Sequence, residues 1–98
     1  MPMRIELSQE AEQDIDGILD YTLTTFGEAQ AEEYYLSLRR CFDQLSDNPQ
    51  IGRSRPELDP ALRSYNHRSH VVFYDVHDDY ILIVRVLHSR MDPERHID

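Results

Sequence analysis

The sequence predicts an α+β fold in the order strand, helix, helix, strand, strand, strand, with an N-terminal helical hairpin packed on one face of an antiparallel sheet. Three observations predict it. Between residues 11 and 45, apolar side chains recur at helical spacing in two runs separated only by a glycine. Residues 61–88 instead hold three runs rich in Val, Ile, Leu and Tyr, broken by polar turn residues. The stretch between them, PQIGRSRPELDP at 49–60, carries too much Pro, Gly and Ser to be either and reads as a loop.

Each element has its own local reason. MRIEL at 3–7 alternates apolar and polar residues as a short strand does, and Ser8 then supplies an N-cap hydroxyl. Glu10, Glu12 and Asp14 favour the positive end of the helix that follows, whose inner positions are Ala11, Ile15, Ile18, Leu19, Thr22 and Phe26. Gly27 should end it, and a second helix should run from about residue 28 to 47. Its apolar face is Ala31, Tyr35, Leu38, Phe42 and Leu45, with Tyr34 and Cys41 beside it, and Asn48-Pro49 stops it. So short a link makes the two helices an antiparallel hairpin. Strands are expected at 61–66, 70–76 and 80–88, the last two joined through His77-Asp78-Asp79.

At 98 residues the chain has room for one domain, 1–98, with one modest core. Its single cysteine, Cys41, has no partner for an intramolecular disulfide and no surrounding ligand set for zinc; it reads as a small helix-face filler. No metal or cofactor is expected. The N-terminus lacks the basic-then-apolar order of a secretion signal and no run is long enough to span a membrane, so a cytoplasmic location is expected.

Charge narrows the function classes. The formal net charge is -9, and every basic residue is arginine. Residues 1–48 hold 3 Arg against 11 acids, whereas residues 49–98 hold 7 Arg against 8. A chain this acidic is disfavoured as an unaided nucleic-acid binder, because such binding draws most of its affinity from phosphate neutralisation. Asp16, Asp20, Glu32, Glu33 and Asp43 form a solvated outer helix face.

The last strand raises a different question. In YILIVRVLH, strict alternation places Ile81, Ile83 and Leu87 on one face and Leu82, Val84 and Val86 on the other, the pattern of a strand buried on both sides. One helical hairpin covers only one face. The other needs the C-terminal tail, a second copy or a partner, and a partner or second copy is the favoured cover. Arg53, Arg55, Arg63, Arg68, Arg85 and Arg90 all come from this half, and the planar guanidinium suits carboxylate or phosphate recognition.

Four segments carry a likeness. FGEAQAEEY in the hairpin, NPQIGRSRPEL in the loop, LRSYNHRSHVVFY across two strands and IVRVLHSRMDPERH at the end resemble, in this order, the ParE-type toxins of bacterial toxin-antitoxin modules. The resemblance implies the RelE/ParE-like fold and a ParD-like antitoxin bound in a toxin-antitoxin hetero-oligomer. It also implies DNA gyrase as the target, inhibited by binding and without catalysis. Arg53, Arg55, Arg63, Arg68, Arg85, His88 and Arg90 are then the expected antitoxin- or target-binding residues.

The same superfamily contains RelE-type ribonucleases that cut messenger RNA on the ribosome, here with His88 and Arg90 as the reacting pair. The net charge, the absence of lysine and the absence of a tyrosine beyond Tyr80 favour the gyrase reading. The histidine-rich ending VLHSRMDPERH supplies no better enzyme. Ser89 and His88, adjacent on a strand, point to opposite faces and make a poor triad. A metal site of His88, Asp92 and His96 would have to cross a proline. A metal-independent ribonuclease with His88 or His96 as acid-base group and Arg85 or Arg90 on the phosphate remains the runner-up. Asp92-Pro93-Glu94 has the order of a helix start, so the tail should open a short helical turn. His67, His70 and His77 read as turn or strand-end residues.

Overall fold

The computed structural model describes residues 2–97. In chain order it contains β1 (Arg4–Leu7), α1 (Gln9–Phe26), α2 (Glu28–Asp47), β2 (Arg53–Ser54), β3 (Leu62–His67), β4 (His70–Val76) and β5 (Tyr80–His88), followed by a 3₁₀ turn at Pro93–Arg95. Ser8 caps α1 by accepting the Ala11 N–H at 3.0 Å, and its hydroxyl donates to the Val84 carbonyl, fastening the helix start to the last strand. Gly27 serves both helices. Its N–H bonds the Leu23 carbonyl and its own carbonyl accepts from Ala31, at a φ of 93° that side-chain-bearing residues rarely adopt.

The expected architecture is present, with one pairing changed and one added. The strands form a five-stranded sheet in the order β1-β5-β4-β3-β2, and β1 runs parallel to β5, so the sheet is mixed rather than wholly antiparallel. The helical hairpin carries the chain from β1 at one edge of the sheet to β2 at the other, and the antiparallel strands β2 to β5 then return to pair beside β1. The added strand β2 lies inside the expected loop and pairs Arg53 with Ser64 and Ser54 with Arg63.

A β-bulge in β5 decides which residues face the helices. Phe73 stands opposite Arg85 and Tyr74 opposite Ile83, leaving Val84 as the extra residue. Strict alternation therefore fails at this point. Ile81, Ile83 and Val86 pack with Ala11, Ile15, Leu38, Cys41, Leu45, Val72 and Tyr74 under the hairpin, while Leu87 moves to the opposite face.

That opposite face is covered by the chain itself. Leu62, Phe73 and Leu87 are buried there, with Leu58 from the loop and Ile97 from the tail packed against them. The tail is held in place by its 3₁₀ turn, in which Asp92 accepts from the Glu94 N–H and the Ile97 N–H bonds the Pro93 carbonyl. The expectation of a partner or second copy on this face is thus corrected, because a loop and a short tail suffice to bury three side chains. The hairpin also differs in rotation: Tyr34 and Cys41 face the core, whereas Tyr35 and Phe26 are exposed. Burial pushes the Cys41 thiol up to about 11, an inert packing thiol.

Candidate functional site

The hairpin packs on the sheet through Ala11, Ile15, Leu38, Cys41 and Leu45. Toward Gly27 a cleft of about 810 Å³ lies between the hairpin and the ends of β4 and β5. Its walls are largely apolar. Ile18, Tyr21 and Phe26 come from α1, Tyr34 from α2, Val86 from β5 and Met91 from the segment beyond it. Tyr21 and Phe26 keep 66% and 63% of their surface exposed and pack edge-to-face, an unusual amount of aromatic surface to leave in water.

One end of the cleft is floored by a row of histidines. In the cross-strand register His67 of β3 faces His70 of β4, and His70 faces His88 of β5. The bulge brings His88 to this face. The His70 and His88 rings meet edge-to-face with centroids 5.5 Å apart, and Tyr34 tilts against both His67 and His70.

Hydrogen bonds fix the row in place. The Tyr34 hydroxyl and His70 Nδ1 are 2.7 Å apart. Ser37 spends its one proton on the Tyr34 carbonyl, so its oxygen accepts from His67 Nε2–H at 3.0 Å. The Arg90 N–H donates to His88 Nδ1, which leaves the His88 proton on Nε2. Burial pushes the Tyr34 hydroxyl up to about 12, against the opposing pull of Arg68. Burial also lowers the affinity of His67 and His70 for a second proton, with Arg68 adding to the effect at His67 and the neighbouring imidazoles at His70.

The expected binding residues divide into three groups. Arg68 and His88 line the cleft, and Arg90 stands exposed just beyond it. Arg68 occupies the tight turn between β3 and β4 with φ of 54°, and both arms of its guanidinium donate to Glu33 at 2.8 and 2.9 Å. Arg85 forms a two-pronged pair with Asp14 and donates a further bond to the His96 carbonyl, so its guanidinium is committed inside the fold.

Arg53, Arg55 and Arg63 sit away from the cleft, around β2 and β3. Arg55 is tied to Glu57 and Ser64 and lies over the Phe73 ring, and Arg63 donates to the Gln50 carbonyl. Arg53 is exposed and lines a small polar hollow with Ser64, Tyr65 and Asn66. The seven residues therefore do not converge on one patch. Sequence reasoning missed Tyr21, Tyr34 and His70 as cleft residues. The signal for the histidines was present in the spacing of His67 and His70 about a two-residue turn, which makes them cross-strand neighbours.

Among the described residues no cluster of His, Cys, Asp and Glu is arranged to hold a metal ion, and no helix is long and apolar enough to cross a membrane. The family model for the ParE toxin of type II toxin-antitoxin systems matches residues 5–93. The chain belongs to the ParE toxin family. Toxin ParE1 of Mycobacterium tuberculosis is 38% identical over 98 residues, covering 99% of this chain and 100% of that protein. Toxin ParE of Escherichia coli is 36% identical, covering 88% of this chain and 84% of that one. A ParE toxin of this sequence also shares its fold with solved structures. A chain of the chromosomal ParDE system of P. aeruginosa superposes with a TM-score of 0.75 at 20% identity, covering 88% of this chain and 95% of its own. One from the toxin-antitoxin complex RelBE2 of Mycobacterium tuberculosis gives 0.63 at 19% identity, covering 90% and 99%. Membership makes the protein a toxin component of a type II toxin-antitoxin system.

Proposed function

We propose that this ParE-family toxin acts without catalysis, by binding DNA gyrase and blocking replication, and that a ParD-like antitoxin neutralises it by seating an apolar segment in the cleft between hairpin and sheet. The observation that carries the antitoxin site is the cleft itself: about 810 Å³ walled by Ile18, Tyr21, Phe26 and Met91, with two of its aromatics mostly exposed. A flexible segment that folds on binding gains the burial of these side chains against the entropy it loses. Arg68 and His88 then contact the antitoxin. Arg53 and Arg90 form no ion pair among the described residues, and they are the arginines best placed to meet gyrase.

The ribonuclease reading needs a cation free to take a phosphate beside an acid-base group. His88 with His70 in the cleft favours it. Arg90, exposed beside His88 and without an ion pair among the described residues, could meet a phosphate, whereas Arg68 is engaged by Glu33 and Arg85 by Asp14; against the reading stands the net charge of -9, which opposes docking on RNA. Induction without antitoxin should arrest growth with filamentation, and purified protein should inhibit supercoiling by gyrase. Undisturbed supercoiling at high molar excess would remove the gyrase reading, and codon-positioned cuts in messenger RNA that vanish in His88→Ala would establish the other.

A further inference from the structure

We infer that the histidine row flooring the cleft makes antitoxin binding dependent on pH, the complex weakening as the row takes up protons. The inference rests on the reading that an apolar antitoxin segment occupies the cleft. It adds a regulator to that site, and the regulator is built from three side chains on three different strands.

The geometry is unusual in what it puts together. His67, His70 and His88 are direct cross-strand neighbours on one sheet face, and His70 and His88 also line the cleft. An apolar side chain seated there covers both rings and removes the water that would solvate their charged forms. Burying an unpaired cation is strongly unfavourable, so the occupied cleft selects the neutral row. Thermodynamic linkage then runs in one direction. A cleft that has bound protons must release them before it closes over its occupant, and the apparent affinity falls as pH falls.

The groups facing the row offer a proton little compensation: Glu33 favours charge on His67, but burial, Arg68 and Arg40 outweigh it. From α2 come Tyr34, whose hydroxyl stays protonated, Ser37 and, acting on His67, Arg40. From the turn comes Arg68, whose guanidinium lies 5.8 Å from the centre of the Tyr34 ring. From the segment after β5 comes the Arg90 N–H on His88. The nearest carboxylates are taken: Glu33 holds both arms of Arg68, and Asp14, at the far end of the cleft, holds Arg85 and the Val86 N–H. A second proton on His70 would therefore sit between two imidazoles, His67 and His88, in a half-buried site with no carboxylate acting on it.

The test uses the full chain and its antitoxin, titrated against each other by calorimetry between about pH 8 and about pH 5.5, the range in which histidine changes charge. The dissociation constant should be flat at the upper end and rise about tenfold per pH unit below the midpoint for each histidine that must lose a proton. His70→Gln/His88→Gln, checked for folding by circular dichroism, should flatten the profile. Should that double variant not fold, ring-proton NMR of wild type replaces it, and titration of His70 should move to lower pH on adding antitoxin. A flat or acid-strengthened profile in wild type overturns the inference while leaving the antitoxin site intact. The same holds if the slope persists both in the double variant and after His67→Gln is added to it, since the protons then belong to the antitoxin. Failure to form a complex at any pH defeats the underlying reading and this inference with it.

Discussion

Arg85 and Asp14 join the last strand to the first helix through two parallel bonds, Nε to Oδ2 and Nη2 to Oδ1, each 2.8 Å long. The same carboxylate accepts the Val86 N–H at 2.9 Å, taking over the edge of β5 where β1 has ended. Hydrogen bonding to Asp14 raises the Arg85 pKa further above its usual value, against the opposing effect of burial.

Asp14→Asn should destabilise the chain by about 2–4 kcal/mol, since it strips charge from a pair whose side chains are mostly out of water and leaves Arg85 without its counter-ion. Glu33→Gln breaks an equally short but exposed, solvent-screened pair and should cost clearly less. Urea denaturation of the two variants measures the contrast, and equal losses would refute it.

Gly52 approaches the sheet so closely that a methyl group there would lie 2.8 Å from the Ser64 carbonyl and strike the Tyr74 ring. Tyr74 holds this segment by accepting the Gly52 N–H and donating to the Pro49 carbonyl. Gly52→Ala should therefore lose about 1–3 kcal/mol by overcrowding, and Tyr74→Phe about 1–2 kcal/mol by unmaking buried hydrogen bonds. Thermal melts should show both variants below wild type.

Phe26→Ala and Tyr21→Ala remove side chains that are mostly in solvent, so stability should stay within about 1 kcal/mol of wild type. Antitoxin affinity should fall at least tenfold in each, because anchoring aromatics carry a large share of interface energy. Calorimetric titration reads the affinity, and unchanged binding in both variants would place the antitoxin elsewhere.

The free chain should lose stability as pH falls below about 6.5, the ordinary histidine value. His67 and His70 are held below that value in the folded state, chiefly by burial, so the unfolded chain binds protons first. Their contribution is complete above the unfolded value and is lost as pH drops through the folded ones. His67→Gln/His70→Gln should flatten this part of a stability-against-pH curve, and a wild-type curve already flat between about pH 7 and about pH 5 would contradict the assignment.

The helix boundaries were legible in single residues: Ser8, Gly27 and the Asn48-Pro49 pair stand where the helices begin and end. So was the tail, from Asp92-Pro93-Glu94. Helix rotation was less so. Tyr34 and Tyr35 are adjacent aromatics and periodicity cannot choose between them; packing against His67 and His70 does. The cleft was hidden for a related reason. Counting back from the Val76–Ile81 pair places His70 opposite Leu87, and only the extra residue Val84 brings His88 into line. A bulge depends on how two strands meet, and neither strand states it alone. The arginines were visible as a set but not as partners, because Asp14 and Arg85 lie 71 residues apart.

The parallel pairing of β1 with β5 also governs when the molecule can exist. Residues 4–7 find their partners only at residues 80–83, and the buried face of the hairpin packs on the same strand. Such distant contacts form late and slowly. During synthesis the first helix emerges with its apolar stripe uncovered, and the core cannot close until the penultimate segment of the chain has been made. Folding is thereby tied to completion: a prematurely ended chain lacks β5, the strand between β1 and β4, and the part of the cleft that β5 supplies. Translation that stalls before residue 80 yields a fragment with neither the toxin's fold nor a complete cleft.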